Sequence, residues 1–280
     1  MTVGFSDTQK RRLAELGVER RQRRRQFSST KERDRRYQEM ERVAVELQRR
    51  RLMHFRQAQR RPRLCRLENA LARMLAGEGF VQVTTPIIMS KSSLVKMGIT
   101  DDHPLASQVF WLETKKCLRP MLAPHLYAVA RDLLRLWDEP VRLFEIGPCF
   151  RKESQGAQHA NEFTMLNLVE FGVKESRRRE RIEALAARVL ECAGSPDYGF
   201  EVEHSEVYGD TIDIVGKPQG LELGSSAMGP HPLDRHWRIT TSWVGMGFGL
   251  ERLIMAVDQE ANMGRMVRSL TYLDGIRLNI

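Results

Sequence analysis

The chain has 280 residues, room for one large domain with an appendage, and a formal net charge of +9. That charge is unevenly placed: residues 1–66 carry 21 Lys and Arg against 8 Asp and Glu, the remainder 24 against 28. No run of 18 apolar residues occurs and the first residues lack an apolar signal core, which argues against membrane-spanning and secreted proteins and leads us to expect a soluble cytoplasmic one.

Taken in chain order, residues 6–60 read as polar helices. Ser6 and Gln9 have the spacing of a capping box, with Leu13 and Leu16 following three apart. A second helix is expected from about Lys31 to Gln59, with Val43, Leu47 and Met53 as a thin apolar seam. Between them lies Arg20-Arg21-Gln22-Arg23-Arg24-Arg25-Gln26. It has no apolar face for a membrane surface, so a nucleic-acid partner is expected, because arginine pairs with phosphate in two-pronged fashion and stacks on bases. A solvated pair of charged helices is the plainer alternative.

Pro62 marks a boundary, separating a basic helical segment, 1–62, from a second domain, 63–280. Leu64, Leu67, Leu71, Met74 and Leu75 then have helical spacing, ended by Gly77 and Gly79. Phe80–Thr84 reads as a strand stopping at Pro86, and Ser107–Leu112 as another. A helix is expected from about Pro124 to Leu136, strands at Val141–Ile146 and Phe163–Glu170, and a helix over 175–193. Short strands resume near Val202, at Thr211–Val215 and at Gly220–Ser226, with a last helix from about Gly249. Strands without regular βαβ alternation indicate an α+β fold, an antiparallel sheet flanked by helices. The four cysteines stand far apart with no zinc spacing and are expected to be reduced, mostly buried thiols.

Three stretches carry chemistry. Gly245, Gly247 and Gly249 recur at period two, which on a strand clears one face of side chains and lets a ligand or another backbone come close. Arg252 follows them at a helix start, and Arg151 stands just past a strand, where each could neutralise phosphate charge. Glu153 could accept from an adenine amino group and Phe163 could stack on the base. Together these suit an enzyme that activates a carboxylate with ATP. Glu222 and Ser225 present hard oxygens suited to Mg²⁺, or are ordinary polar residues at a strand end. His159 could touch pyrophosphate or simply lie at the surface, and His103, His125, His231 and His236 form no convincing constellation.

Gly79–Ile88 with Pro86, Phe150-Arg151-Lys152-Glu153 with Phe163, and Gly245–Arg252 resemble the three motifs of class II aminoacyl-tRNA synthetases. Leu118–Tyr127, Phe163–Asn167, Val207–Thr211, Gly229-Pro230 and Trp243–Gly249 are similar, more narrowly, to the pyrrolysyl-tRNA synthetase family, over about residues 64–280. The resemblance implies ligation of pyrrolysine to its tRNA through an aminoacyl-adenylate, with ATP and Mg²⁺, in a homodimer built on the first motif. It implies ATP contacts at Arg151, Glu153, His159, Phe163, Gly249 and Arg252, with Glu222, Leu223 and Ser225 on the magnesium side. For the amino acid it implies an apolar pocket of Ala123, Leu126, Tyr127, Ala130, Val169, Ala227 and Trp243 beside Gly245. Asn167 would read the substrate amide and Tyr208 would cover the pocket. Ala130, Asn161 and His125 depart from the usual residues, and Ala130 is expected to enlarge the pocket. The chain resembles the short form that lacks a separate N-terminal tRNA-binding domain. A class II enzyme for another acid, phenylalanine for example, and a non-catalytic RNA-binding paralogue are the rival readings.

Overall fold

The computed structural model describes residues 2–152, 160–217, 220–260 and 263–280. They form two compact units: Met1–Pro62 together with Arg268–Ile280, and Arg63–Val267.

The first unit begins with β1 (Val3–Gly4), α1 (Asp7–Glu15), α2 (Arg20–Arg23), β2 (Gln26–Phe27) and α3 (Thr30–His54). Ser6 and Gln9 close the expected capping box on α1. A single π turn, Phe55–Gln59, extends α3. Val43, Leu47 and Met53 were expected to form its inner seam, but Val43 is 66% and Leu47 53% exposed. The inward positions are instead Tyr37, Met40, Ala44 and Gln48, spaced three or four apart, and the apolar residues beside them face outward.

The second unit opens with α4 (Arg63–Gly77), which buries Leu64, Leu67, Leu71 and Leu75. Then come β3 (Val81–Gln82), β4 (Ile88–Ser90), α5 (Lys91–Lys96), β5 (Trp111–Glu113), β6 (Lys116–Leu118) and α6 (Ala123–Leu133). The strand expected over Ser107–Leu112 is divided. A 3₁₀ turn occupies Pro104–Gln108, started by Pro104 and capped by His103, and only Trp111–Glu113 pairs, with β6. The long strands β7 (Val141–Phe150) and β8 (Glu162–Phe171) follow, then α7 (Arg178–Ala193), β9 (Tyr198–Ser205), β10 (Gly209–Gly216), β11 (Leu221–Gly229), β12 (Trp243–Gly249) and α8 (Leu250–Asp258).

Seven strands make the main sheet in the order β3-β7-β8-β12-β11-β10-β9. Every pair is antiparallel except the edge pair β3–β7. Period-two alternation sends Leu166 and Leu168 of β8 and Val244, Met246 and Phe248 of β12 into a core shared with α4, α7 and α8. Val169, Phe171 and Trp243 face the other side, where α6 packs through Leu126, Tyr127 and Ala130. All four cysteines are free thiols, and burial pushes Cys117 up to about 11 and Cys149 to about 12.

The chain ends in a small hairpin, β13 (Tyr272–Leu273) and β14 (Ile276–Arg277), that packs with the first unit. The buried Gln48 ties it in: its amide donates to the Leu16 carbonyl at 2.8 Å and its oxygen accepts from the Arg277 N–H at 3.0 Å.

Candidate active site

A cavity of about 370 Å³ lies on the α6 side of the sheet. Its floor is β12. Gly245, Gly247 and Gly249 all face it, while the intervening residues point into the opposite core. A Cβ on Gly245 would come within 3.2 Å of the Trp243 ring, and one on Gly247 within 3.2 Å of Met165. The Trp243 indole therefore lies along bare backbone.

Registry carries this face across the sheet. Asn167, Gly247, Ser225 and Asp213 stand directly opposite one another on four neighbouring strands, and Val169, Gly245 and Ala227 form the next row. Glu222 and Ser225 are an odd spacing apart, so a regular strand would send them to opposite faces. A bulge solves this: β11 places Gly224 opposite Ile214 but Glu222 opposite Val215, and the shift turns both residues to the cavity. Gly224 permits it, since a Cβ there would lie 2.6 Å from the Gly247 carbonyl oxygen.

One end of the cavity is polar. Arg151 places its guanidinium 5.3 Å from the centre of the Phe163 ring, and its Nε donates to the Pro120 carbonyl at 2.9 Å. Arg252 donates to the Glu222 carboxylate at 3.1 Å. Ser225 Oγ donates to Asp213 Oδ1 at 2.6 Å, which Thr211 also approaches at 3.1 Å. Leu223 contributes to the same lining.

The other end is apolar and aromatic. Val169, Ala227 and Ala123 line it with Leu126 and Tyr127. The Tyr127 ring meets Trp243 edge-on at 5.7 Å and stacks on Trp237 at 5.7 Å. Tyr208, at the β9–β10 turn, lies 6.4 Å from Trp243. Burial raises the Tyr127 phenol well above its ordinary value, so it stays neutral. Between the two ends, Asn167 donates one amide hydrogen to the Met246 carbonyl at 2.8 Å, which leaves its second hydrogen and its oxygen for a ligand.

Not every expected residue reaches the cavity. Glu153 and His159 lie outside the described residues. Ala130 was expected to widen the pocket, yet it is wholly buried in the core behind α6 and does not line the cavity. It falls on the inward stripe of the helix with Leu126 and Tyr127, three or four residues away, and its side chain is too short to pass them.

Several supporting residues escaped the sequence reading. Asp213 anchors Ser225, and the alternation of Thr211 and Asp213 along β10 was the available signal. Glu251, beside Arg252, is buried and accepts the Thr164 N–H at 2.9 Å. Arg119 and Glu145 form a buried pair at 2.7 Å, each side chain 2% exposed. Thr85 donates to Glu145 at 2.7 Å and meets His125 Nδ1 at 3.1 Å, while Arg119 Nε donates to the Pro148 carbonyl. This network braces the end of β7 just before Arg151 and gives His125 a place beneath the site instead of in it.

The sheet order, the glycine floor and the two arginines over one cavity define the catalytic fold of a class II aminoacyl-tRNA synthetase. Residues 50–195, just over half of the chain, match the family described as the phenylalanyl tRNA synthetase beta chain CLM domain, and the chain is a member of that domain family. Shorter stretches are 30% identical over 95 residues to a threonine–tRNA ligase of Ehrlichia chaffeensis and 33% identical over 85 residues to a histidine–tRNA ligase of Leptospira biflexa. These cover 33% and 30% of this chain but only 15% and 20% of those ligases. The crystal structure of pyrrolysyl-tRNA synthetase from Desulfitobacterium hafniense matches over 100% of both chains, with 52% identity and a TM-score of 0.93. A second structure of a pyrrolysyl tRNA synthetase from that organism matches with 51% identity and a TM-score of 0.91, covering 100% of this chain and 96% of the other. The chain belongs to the pyrrolysyl-tRNA synthetase family.

Proposed function

We propose that the protein ligates pyrrolysine to its cognate tRNA in two steps at this cavity. The carboxylate of the amino acid attacks the α-phosphate of ATP, releasing pyrophosphate and forming the adenylate. The 3′-terminal ribose hydroxyl of tRNA then attacks the adenylate carbonyl, forming the aminoacyl ester and releasing AMP. The observation that carries the reading is the division of one cavity into a polar end that holds two arginines and an apolar, aromatic end, joined by an asparagine amide.

In this reading Arg151 and Arg252 neutralise charge that grows on the phosphates, and Phe163 stacks on the adenine. No general base is needed, because the attacking carboxylate is already ionised. Asn167 donates to the amide carbonyl of the acylated lysine. Ala123, Leu126, Tyr127, Val169, Ala227 and Trp243 enclose the ring, and Tyr208 covers it.

The oxygens of Glu222, Ser225 and nearby Asp213 suit Mg²⁺, which takes few protein ligands and completes its shell with water and phosphate. Bound there, Mg²⁺ would offset pyrophosphate charge.

Two further parts belong to the proposal. The exposed basic helices of the first unit hold tRNA. The segment Gly79–Ile88 forms a homodimer interface, supported by its exposed Val81, Ile87 and Ile88. No helix among the described residues is long and apolar enough to cross a membrane.

The test is ATP–pyrophosphate exchange screened over pyrrolysine and the standard amino acids, followed by tRNA charging. Exchange with pyrrolysine alone is expected. Exchange with phenylalanine alone would overturn the substrate, and none with any acid would favour a non-catalytic role.

A further inference from the structure

Two short stretches of this chain read His-Pro-Leu: His103-Pro104-Leu105 and His231-Pro232-Leu233. Both fold alike. Each proline starts a five-residue 3₁₀ turn, Pro104–Gln108 and Pro232–His236, and each histidine is its cap. His103 Nδ1 accepts the Leu105 N–H at 3.1 Å, and His231 Nδ1 accepts the Leu233 N–H at 3.2 Å. An imidazole that accepts at Nδ1 carries its proton on Nε2, so the turn itself selects the tautomer.

Both Nε2 atoms are aimed at the same short segment, the tip between β9 and β10. His231 Nε2 lies 3.1 Å from the Tyr208 carbonyl oxygen, and His103 Nε2 lies 3.4 Å from the Glu206 carbonyl oxygen. Inside the tip, Ser205 Oγ accepts the N–H groups of Val207 and Tyr208 at 3.2 and 3.3 Å. The His231 turn is itself fixed to the pocket wall. Asp234 Oδ2 accepts the His231 N–H at 2.7 Å and the Trp243 indole N–H at 2.9 Å. Tyr208 and Trp243 line the cavity, whereas His103, His231 and Asp234 do not.

We infer that His103 and His231 are paired latches that hold the β9–β10 tip closed, and so position Tyr208 over the amino-acid end of the cavity without touching substrate. The inference rests on the reading of that end as the amino-acid pocket. Two separate turns with the same sequence, the same cap and the same tautomer converge on one segment from different parts of the chain. Capping alone would need only Nδ1, and the second nitrogen of each ring is spent on the tip.

Substitution can separate the two nitrogens. Asparagine places a carbonyl near Nδ1 and keeps the cap, but it is too short to reach the tip. Glutamine places an amide N–H near Nε2. The variants are His103→Asn with His231→Asn, and His103→Gln with His231→Gln, in the full chain. Loss of the latches should raise KM for pyrrolysine in pyrophosphate exchange about tenfold, with kcat and KM for ATP within about twofold. The Gln variant should recover most of the loss. Hydrogen exchange of residues 205–209 in the free protein should quicken about tenfold in the Asn variant and return towards parent in the Gln variant. Unchanged exchange at the tip in the Asn variant overturns the latch, whatever acid the enzyme activates. A parent enzyme inert towards pyrrolysine, with the exchange pattern as expected, would overturn the substrate and leave the latch standing. A rise in both KM values with loss of thermal stability would make the turns structural and overturn the positioning role.

Discussion

The guanidinium of Arg151 lies 5.3 Å from the centre of the Phe163 ring, with its Nε committed to the Pro120 carbonyl. The commitment fixes the direction of the group and leaves its two terminal nitrogens for a ligand. Arg151→Ala should therefore remove a preorganised cation, at a cost of about 3 kcal/mol in the transition state, or roughly a hundredfold in the rate of adenylate formation. Pyrophosphate exchange measures this, and a rate within about threefold of parent would contradict the role.

Asn167→Ala leaves the Met246 carbonyl without its partner and the substrate amide unread. Activation of pyrrolysine should fall by about tenfold or more in kcat/KM, with KM for ATP nearly unchanged. An equal fall in kcat/KM for pyrrolysine and for ATP would place Asn167 in the architecture of β8 alone.

Ala130 yields the opposite expectation from the one its sequence neighbourhood suggests. It is sealed in the core behind α6, so Ala130→Leu should overpack that core and cost roughly 1–3 kcal/mol of stability. Bulky and compact lysine derivatives should lose activity alike. Selective loss of the bulky ones would mean the pocket reaches further than this cavity.

His125 supplies a pH signature. Burial, reinforced by the Arg119 guanidinium and opposed by Glu145, holds its imidazole below the ordinary 6.5. In the window just below pH 6.5 the unfolded chain thus binds a proton that the native protein refuses. Stability must fall as pH drops through that window, and the fall ends at the lowered native value. His125→Asn should flatten this slope in urea unfolding compared at about pH 7.5 and about pH 6. A slope equal to the parent's would assign the acid sensitivity to other groups.

In the basic helices, Arg20, Arg21, Arg24 and Arg25 are exposed, whereas Arg23 donates to the Val18 carbonyl at 3.0 Å. Replacing the four exposed residues by Gln should lower tRNA affinity and flatten its salt dependence, leaving tRNA-independent pyrophosphate exchange intact. Binding measured over a salt series decides it, and an unchanged slope would leave these residues as a solvated face.

Period was the legible part of this sequence. The apolar spacing of α4 and the alternation of β7, β8 and β12 are local facts, and the structure places them where the spacing requires. Gly245, Gly247 and Gly249 disclosed a bare strand face for the same reason. What stayed hidden was set by registry and by long-range pairing. Glu222 and Ser225 share a face because a bulge shifts β11 against β10, a property of two strands together. Arg119 and Glu145 are 26 positions apart, and nothing local marks them as a pair. The outward turn of Val43 and Leu47 was invisible because polar Gln48 takes the inner position. Likewise, the two His-Pro-Leu turns have meaning only once both are seen beside Tyr208.

The glycine floor of β12 constrains how this pocket can change. Three positions already carry the smallest residue there is, so no substitution at Gly245, Gly247 or Gly249 can deepen the site; it can only raise the floor. Any shift towards a larger substrate has to be made in the walls, at β8, α6, the β9–β10 tip or the Trp243 indole at the head of β12, and any shift towards a smaller one has a short route through the glycine floor. The strand that makes close approach possible thus gives substrate choice a direction.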